Sequence, residues 1–128
     1  MARPEARSDD PLAAALQLQQ AAAAEGFDWQ DAQGLWDKLA EEIGELRAAT
    51  TAAERREELG DLLFMVVNLA RHLGCEPQAA LHGANAKFAS RWAHIQAHRE
   101  GLPTQQPARL EAMEALWQDA KRRERAGH

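Results

Sequence analysis

K-L-A-E-E-I-G-E-L (Lys38–Leu46) and, after a short break, E-E-L-G-D (Glu57–Asp61) hold the acids around which this chain is arranged. Two pairs stand at i,i+3 spacing, Glu42 with Glu45 and Glu58 with Asp61, and Glu41 and Glu57 add further carboxylates. Residues at that spacing share a helix face, so each pair presents its carboxylates side by side. Two helices lying antiparallel across the short connection would bring the pairs opposite each other. Like charges about 4 Å apart repel by roughly 4 kcal/mol at an effective dielectric of about 20, so such a cluster calls for a cation. A divalent ion that prefers oxygen is the natural candidate.

Working outward, Leu35, Leu39, Ile43 and Leu46 recur at helical spacing and predict the core stripe of a helix ending near Ala49. Glu42 and Glu45 flank that stripe, and Asp28 or Asp31 is available as the cap. Thr51-Ala-Ala-Glu54 is a capping-box pattern that starts the next helix. From Glu58 to Leu73 this helix is apolar on almost every side, the mark of a buried one, and Gly74 stops it. A chain this short has few helices with which to surround it, so the run predicts packing against a second subunit. Asn68 inside the run reads as a buried hydrogen-bonding residue, in preference to a substrate contact, and His72 and Cys75 near its end as structural.

On either side the signals are weaker. Asp10-Pro11 opens a first helix reaching about Glu25, whose faint apolar stripe suggests a peripheral arm. Glu76-Pro77 opens a fourth, to about Glu100, with Leu81, Ala84, Phe88, Trp92 and Ile95 as its stripe. Lys87 and Arg91 stand on one flank of it and Asn85 on the other. A loop follows over Gly101–Pro107, and a last helix, Ala108–Arg125, is expected to bury Leu110, Met113, Leu116 and Trp117. The expectation is an all-α fold of four to five helices, with residues 1–10 disordered, 11–125 one domain and 126–128 a tail.

Composition agrees. The 128 residues suit a single domain, and 45% hydrophobic content rich in Ala and Leu, with no Tyr, leans helical. A formal net charge of -5 argues against a nucleic-acid binder, which needs a basic face. The single cysteine, Cys75, excludes an intramolecular disulfide and a multi-cysteine zinc site, and fits a reducing cytosol. No apolar run approaches the length of a membrane span. A soluble, cytoplasmic protein is expected.

A lone E-x-x-E says little on a charged helix, and Glu54/Glu57 and Glu111/Glu114 share the spacing. The two pairs singled out differ in adjoining the strongest apolar stripes on consecutive helices. Asp61 directly precedes the apolar run, a poor place for an unpaired charge. No Glu has a His three residues on, as a di-iron bundle requires, and no H-E-x-x-H zinc motif is present. All-carboxylate ligation suits Mg²⁺ or Mn²⁺, and Mg²⁺ commonly completes its shell with substrate phosphates. Lys38, Lys87, Arg91 and Lys121 are candidate phosphate partners, and without a Walker loop the chain is no P-loop enzyme.

Glu41-Glu42-x-x-Glu45, twelve residues, then Glu58-x-x-Asp61 resembles the signature of the MazG family of nucleoside triphosphate pyrophosphohydrolases. The likeness extends to F-D-W-Q-D-A-Q-G-L-W-D-K-L before it and G-D-L-L-F-M-V-V-N-L-A-R-H-L-G after it. A-L-H-G-A-N-A-K-F-A-S-R-W and M-E-A-L-W-Q-D-A-K continue it, so that residues 16–124 are covered. The match is most like the catalytic half of two-domain MazG enzymes, standing here as one domain. One departure is Gly44, where the two-domain relatives often carry a larger polar residue.

The resemblance implies a helical homodimer that hydrolyses an NTP or dNTP, with Mg²⁺, to the monophosphate and pyrophosphate. It implies Glu42, Glu45, Glu58 and Asp61 as metal ligands, with Glu41 assisting a second ion or orienting water. Lys38, Asn85, Lys87 and Arg91 would contact phosphates or sugar, and Trp117 with Lys121 would help hold the nucleotide. Related all-α dUTPase-like and phosphoribosyl-ATP-hydrolysing enzymes share these acids and stay open as alternatives. So does a non-catalytic helical module that dimerises or binds a partner.

Overall fold

The computed structural model describes residues 9–127. Most of the segment expected to be disordered, residues 1–8, and His128 of the tail lie outside the described residues. Within them the chain is all-α, without a strand. The helices are α1 (Pro11–Ala24), α2 (Ala32–Ala48), α3 (Ala52–His72), α4 (Pro77–Ala97) and α5 (Ala108–Ala126). The expected fourth helix is shorter than its sequence suggests: α4 stops at Ala97, and a 3-10 turn occupies Arg99–Gly101.

The helix starts follow from side-chain caps that satisfy otherwise unpaired backbone N–H groups. Asp10 accepts from the Leu12 N–H at 3.2 Å, with Pro11 in the first helical position. Asp31, not Asp28, caps α2 by accepting from the Gly34 N–H at 3.1 Å. At α3, Thr51 Oγ1 accepts from the Glu54 N–H at 3.1 Å, and Glu54 reaches back to accept from the Thr50 N–H at 3.1 Å. Gly26 (φ 96°) and Gly74 (φ 72°) turn the chain just beyond α1 and α3 in the left-handed region that glycine tolerates.

Two compact units divide the described residues, one ending at Ala80 and the other beginning at Leu81, within α4. In the first unit α2 and α1 both pack on α3. Its core is Leu35, Leu39 and Met65, with Leu62 and Leu69 against them. Here the expected α2 stripe is corrected by one position: Ile43 is 47% exposed, whereas Glu42 is 6% exposed and lies on the buried face. The reason is geometric. At 100° per residue, position 42 falls closer than 43 to the direction of Leu35 and Leu39, so the helix places an acid where the apolar pattern suggested a flank.

On α3 only Met65, Val67 and Asn68 are buried, and Leu59, Leu63, Phe64 and Val66 are exposed in the single chain. In the second unit Ile95, Leu102 and Ala120 are buried. The expected α4 stripe reaches the core through Ile95, while Leu81, Phe88 and Trp92 are exposed; on α5, Leu110 is exposed as well.

Candidate active site

The acids of α2 and α3 converge as their spacing suggested. Glu42 is carried into the interior by the face that holds Leu35 and Leu39, and Glu58 and Asp61 stand one turn before Leu62 and Met65, which pack on that face. One carboxylate oxygen from each of Glu42, Glu58 and Asp61 lies within 4.8 Å of the other two. Glu45 stands one turn further along α2, itself exposed, and acts on the Glu58 carboxyl from there. Burial pushes the Glu58 carboxyl above the usual carboxylate range, and the neighbouring carboxyls of Glu45, Glu42 and Asp61 push it further.

The residues present fit a hard divalent ion. Glu42 Oε2 and Glu58 Oε2 are both buried without a hydrogen-bond partner. Orphaned buried oxygens are costly, and a metal would satisfy them. The donors are all carboxylates, the set that Mg²⁺ and Mn²⁺ accept and that zinc and iron sites usually supplement with nitrogen or sulfur.

Lys38 offsets one edge of the cluster. Its Nζ lies 3.3 Å from Glu41 Oε1 and 3.4 Å from Glu42 Oε1, and Glu41, then Glu42, hold its ammonium above the usual range. Glu41 is thereby placed on the exposed side of α2, paired with Lys38, and outside the three-acid group.

In the second unit Arg91 stacks over Trp117, its guanidinium carbon 5.0 Å from the ring centroid, and Phe88 meets the same indole at 5.4 Å. Glu124 accepts from Arg91 Nε at 3.1 Å and from Nη2 at 3.0 Å. The Arg91 side chain is only 11% exposed. Lys121 is half-buried on α5, and Asn85 and Lys87 stand exposed on α4. Of the expected substrate contacts in this unit, the fold thus brings Arg91 and Trp117 together.

Sequence reasoning passed over a second feature of the first unit. A pocket of ≈ 480 Å³ is walled by Leu18, Phe27, Trp29 and Phe64, with Gln19, Asn68 and Arg71 among its polar lining. Arg71 organises that polar side. Its Nη1 and Nη2 donate to Asp28 Oδ2 and Oδ1 at 3.2 and 2.8 Å, Nη2 also to Asn68 Oδ1 at 2.8 Å, and Nε to Gln19 Oε1 at 3.0 Å. Gln19 Nε2 donates to the Phe64 carbonyl at 2.9 Å, tying α1 to α3. The guanidinium, with His72 at 3.1 Å, holds the Asp28 carboxyl well below the usual range. Asn68 and His72 take the hydrogen-bonding and structural parts expected of them. The available signal was N-x-x-R-H at the end of the apolar run, beside the unassigned acid of F-D-W.

Comparison with known proteins identifies the family of the chain. Residues 30–96, just over half of the chain, match the MazG nucleotide pyrophosphohydrolase domain. The nucleoside triphosphate pyrophosphohydrolase/pyrophosphatase MazG of Thermotoga maritima is 38% identical over 112 residues, 86% of this chain and 44% of that protein. A nucleoside triphosphate pyrophosphohydrolase of Escherichia coli K12 is 41% identical over 125 residues, 92% of this chain and 47% of that protein. The chain therefore spans less than half the length of these relatives. From the helices that gather Glu42, Glu58 and Asp61 to the matched span that contains all three, sequence and fold lead to one conclusion: this chain belongs to the MazG nucleotide pyrophosphohydrolase domain family.

Proposed function

We propose that this chain hydrolyses nucleoside triphosphates, ribo- or deoxyribo-, to the monophosphate and pyrophosphate with Mg²⁺, for which Mn²⁺ can substitute, and so clears non-standard nucleotides. The observation that carries this reading is the pair of unpartnered buried oxygens, Glu42 Oε2 and Glu58 Oε2, in an acid group with ligand atoms within 4.8 Å of one another. The activity for which the two relatives are named supports it. Residues 11–125 act as one domain in this reading.

Glu42, Glu45, Glu58 and Asp61 would hold the ion, which when bound supplies charge neutralisation at the phosphates and acidifies coordinated water. Glu41 accepts a proton from the water that attacks the α-phosphorus. As the new P–O bond forms, the bond to the bridging oxygen breaks, and pyrophosphate leaves with that electron pair. Lys38, Lys87 and Arg91 offset the charge developing on the leaving group. Asn85 meets the sugar or a phosphate, and Trp117 with Lys121 steadies the nucleotide. The aromatic-walled pocket is suited to the base, since Phe27, Trp29 and Phe64 offer stacking faces and Asn68 a polar edge. Asn68 lies about 10 Å along α3 from Asp61, a distance that one nucleotide can span.

The working form would be a soluble homodimer in the cytoplasm. Four exposed apolar side chains on α3, Leu59, Leu63, Phe64 and Val66, favour a second copy as their cover. No helix among the described residues is long and apolar enough to cross a membrane. Sedimentation tests the dimer: a stable monomer at micromolar concentration would contradict it. The reaction is tested by incubating a panel of NTPs, dNTPs and modified nucleotides with and without Mg²⁺ and resolving the products. Monophosphate and pyrophosphate are expected; release of orthophosphate and a diphosphate would overturn attack at the α-phosphorus.

A further inference from the structure

We infer that Glu124 is a positioning residue for the phosphate-binding arginine: it fixes Arg91 on Trp117 with one edge of the guanidinium and leaves the other edge for the triphosphate. The inference rests on the reading of Arg91 as a phosphate contact. An arginine on an exposed helix samples many rotamers, and ordering it on a ligand weakens binding. Here three contacts have already ordered it. The indole face lies 5.0 Å below, and Glu124 takes Nε and Nη2 through separate oxygens at 3.1 and 3.0 Å. Phe88 against Trp117 at 5.4 Å backs the platform in turn.

The guanidinium is planar and carries five N–H donors, and a carboxylate on the Nε/Nη2 edge engages two of them. One Nη1 hydrogen and the second Nη2 hydrogen point along the terminal edge, and the remaining Nη1 hydrogen points back toward Cδ. The terminal edge can donate to a pair of phosphate oxygens while the carboxylate stays bound. Glu124 sits in the K-R-R-E sequence near the end of α5, a stretch that otherwise reads as a solvated basic tail.

Simple electrostatics gives the opposite sign for its removal. Deleting a negative charge near an anion site should tighten anion binding, whereas deleting a positioning residue should weaken it. Inorganic tripolyphosphate with Mg²⁺, followed by calorimetry on the full chain, separates the two and depends on neither base recognition nor turnover. Glu124→Ala is expected to weaken binding about five-fold, the scale of reordering one long side chain, with Glu124→Gln intermediate because it keeps one acceptor. In an Arg91→Ala background neither substitution should have a further effect. Binding unchanged or tighter in Glu124→Ala, or an equal loss in the Arg91→Ala background, would overturn the positioning role. If Arg91→Ala alone left tripolyphosphate binding intact, the phosphate role of Arg91 would fall, and this inference with it.

Discussion

The two ends of α3 treat buried polar groups in opposite ways. At its start, Glu58 and Asp61 meet Glu42 with two carboxylate oxygens left without partners. Near its end, Asn68, Arg71 and His72 join Gln19 and Asp28 in a network whose donors find acceptors at 2.8 to 3.2 Å. The acids shift accordingly: Glu58 is pushed up by burial and neighbouring carboxyls, Asp28 held down by Arg71 and His72. One end is finished as protein. The other leaves two buried carboxylate oxygens without partners, the opening that the proposed cation would fill.

The largest effect should come from the incomplete end. Glu58→Gln or Glu42→Gln is expected to lower kcat/KM beyond the roughly 10–100-fold that losing an outer-shell partner costs a metal site. Activity retained in either variant would break the ligand assignment. At the finished end, Arg71→Ala should destabilise the chain by about 2 kcal/mol, because it strips charge-assisted bonds from buried Gln19 and Asn68 and from exposed Asp28. Urea unfolding measures this, and an unchanged midpoint would show the network to be idle.

The pH dependence sharpens the contrast. A carboxylate whose folded pKa lies below its ordinary value of 3.8 contributes stability that is present above that value and lost as pH falls beneath it. Asp28→Asn should therefore flatten the acid limb of the stability profile below pH 3.8 or so. The smallest effect serves as a control: Thr51→Ala removes the α3 cap and should cost about 1 kcal/mol without altering the response to Mg²⁺.

Much of this was legible in the chain. The α3 start was written in Thr51 and Glu54, and the acid pairs in their spacing, since both depend on neighbours within a few residues. Glu42 shows where that reading thins. Ile43 looked like core from its helical spacing with Leu35 and Leu39, yet the acid beside it is the one buried, and only a partner helix fixes which of the two faces inward. The Asp28–Arg71 pair was invisible for a related reason: it joins residues 43 positions apart, from before α2 to the last turn of α3, with no periodicity to announce it. Glu124 was lost among the charges of a basic tail, where a single acid ordinarily means solvation.

The central claim is that the acids at the start of α3 await a divalent cation. Its most direct test is the thermal midpoint of the wild-type chain and of Glu58→Gln, each with and without Mg²⁺. The account expects the wild type to gain stability on adding Mg²⁺. Glu58→Gln should start higher than the metal-free wild type, being relieved of repulsion, and gain little. No gain in the wild type, or an equal gain in both, would contradict it.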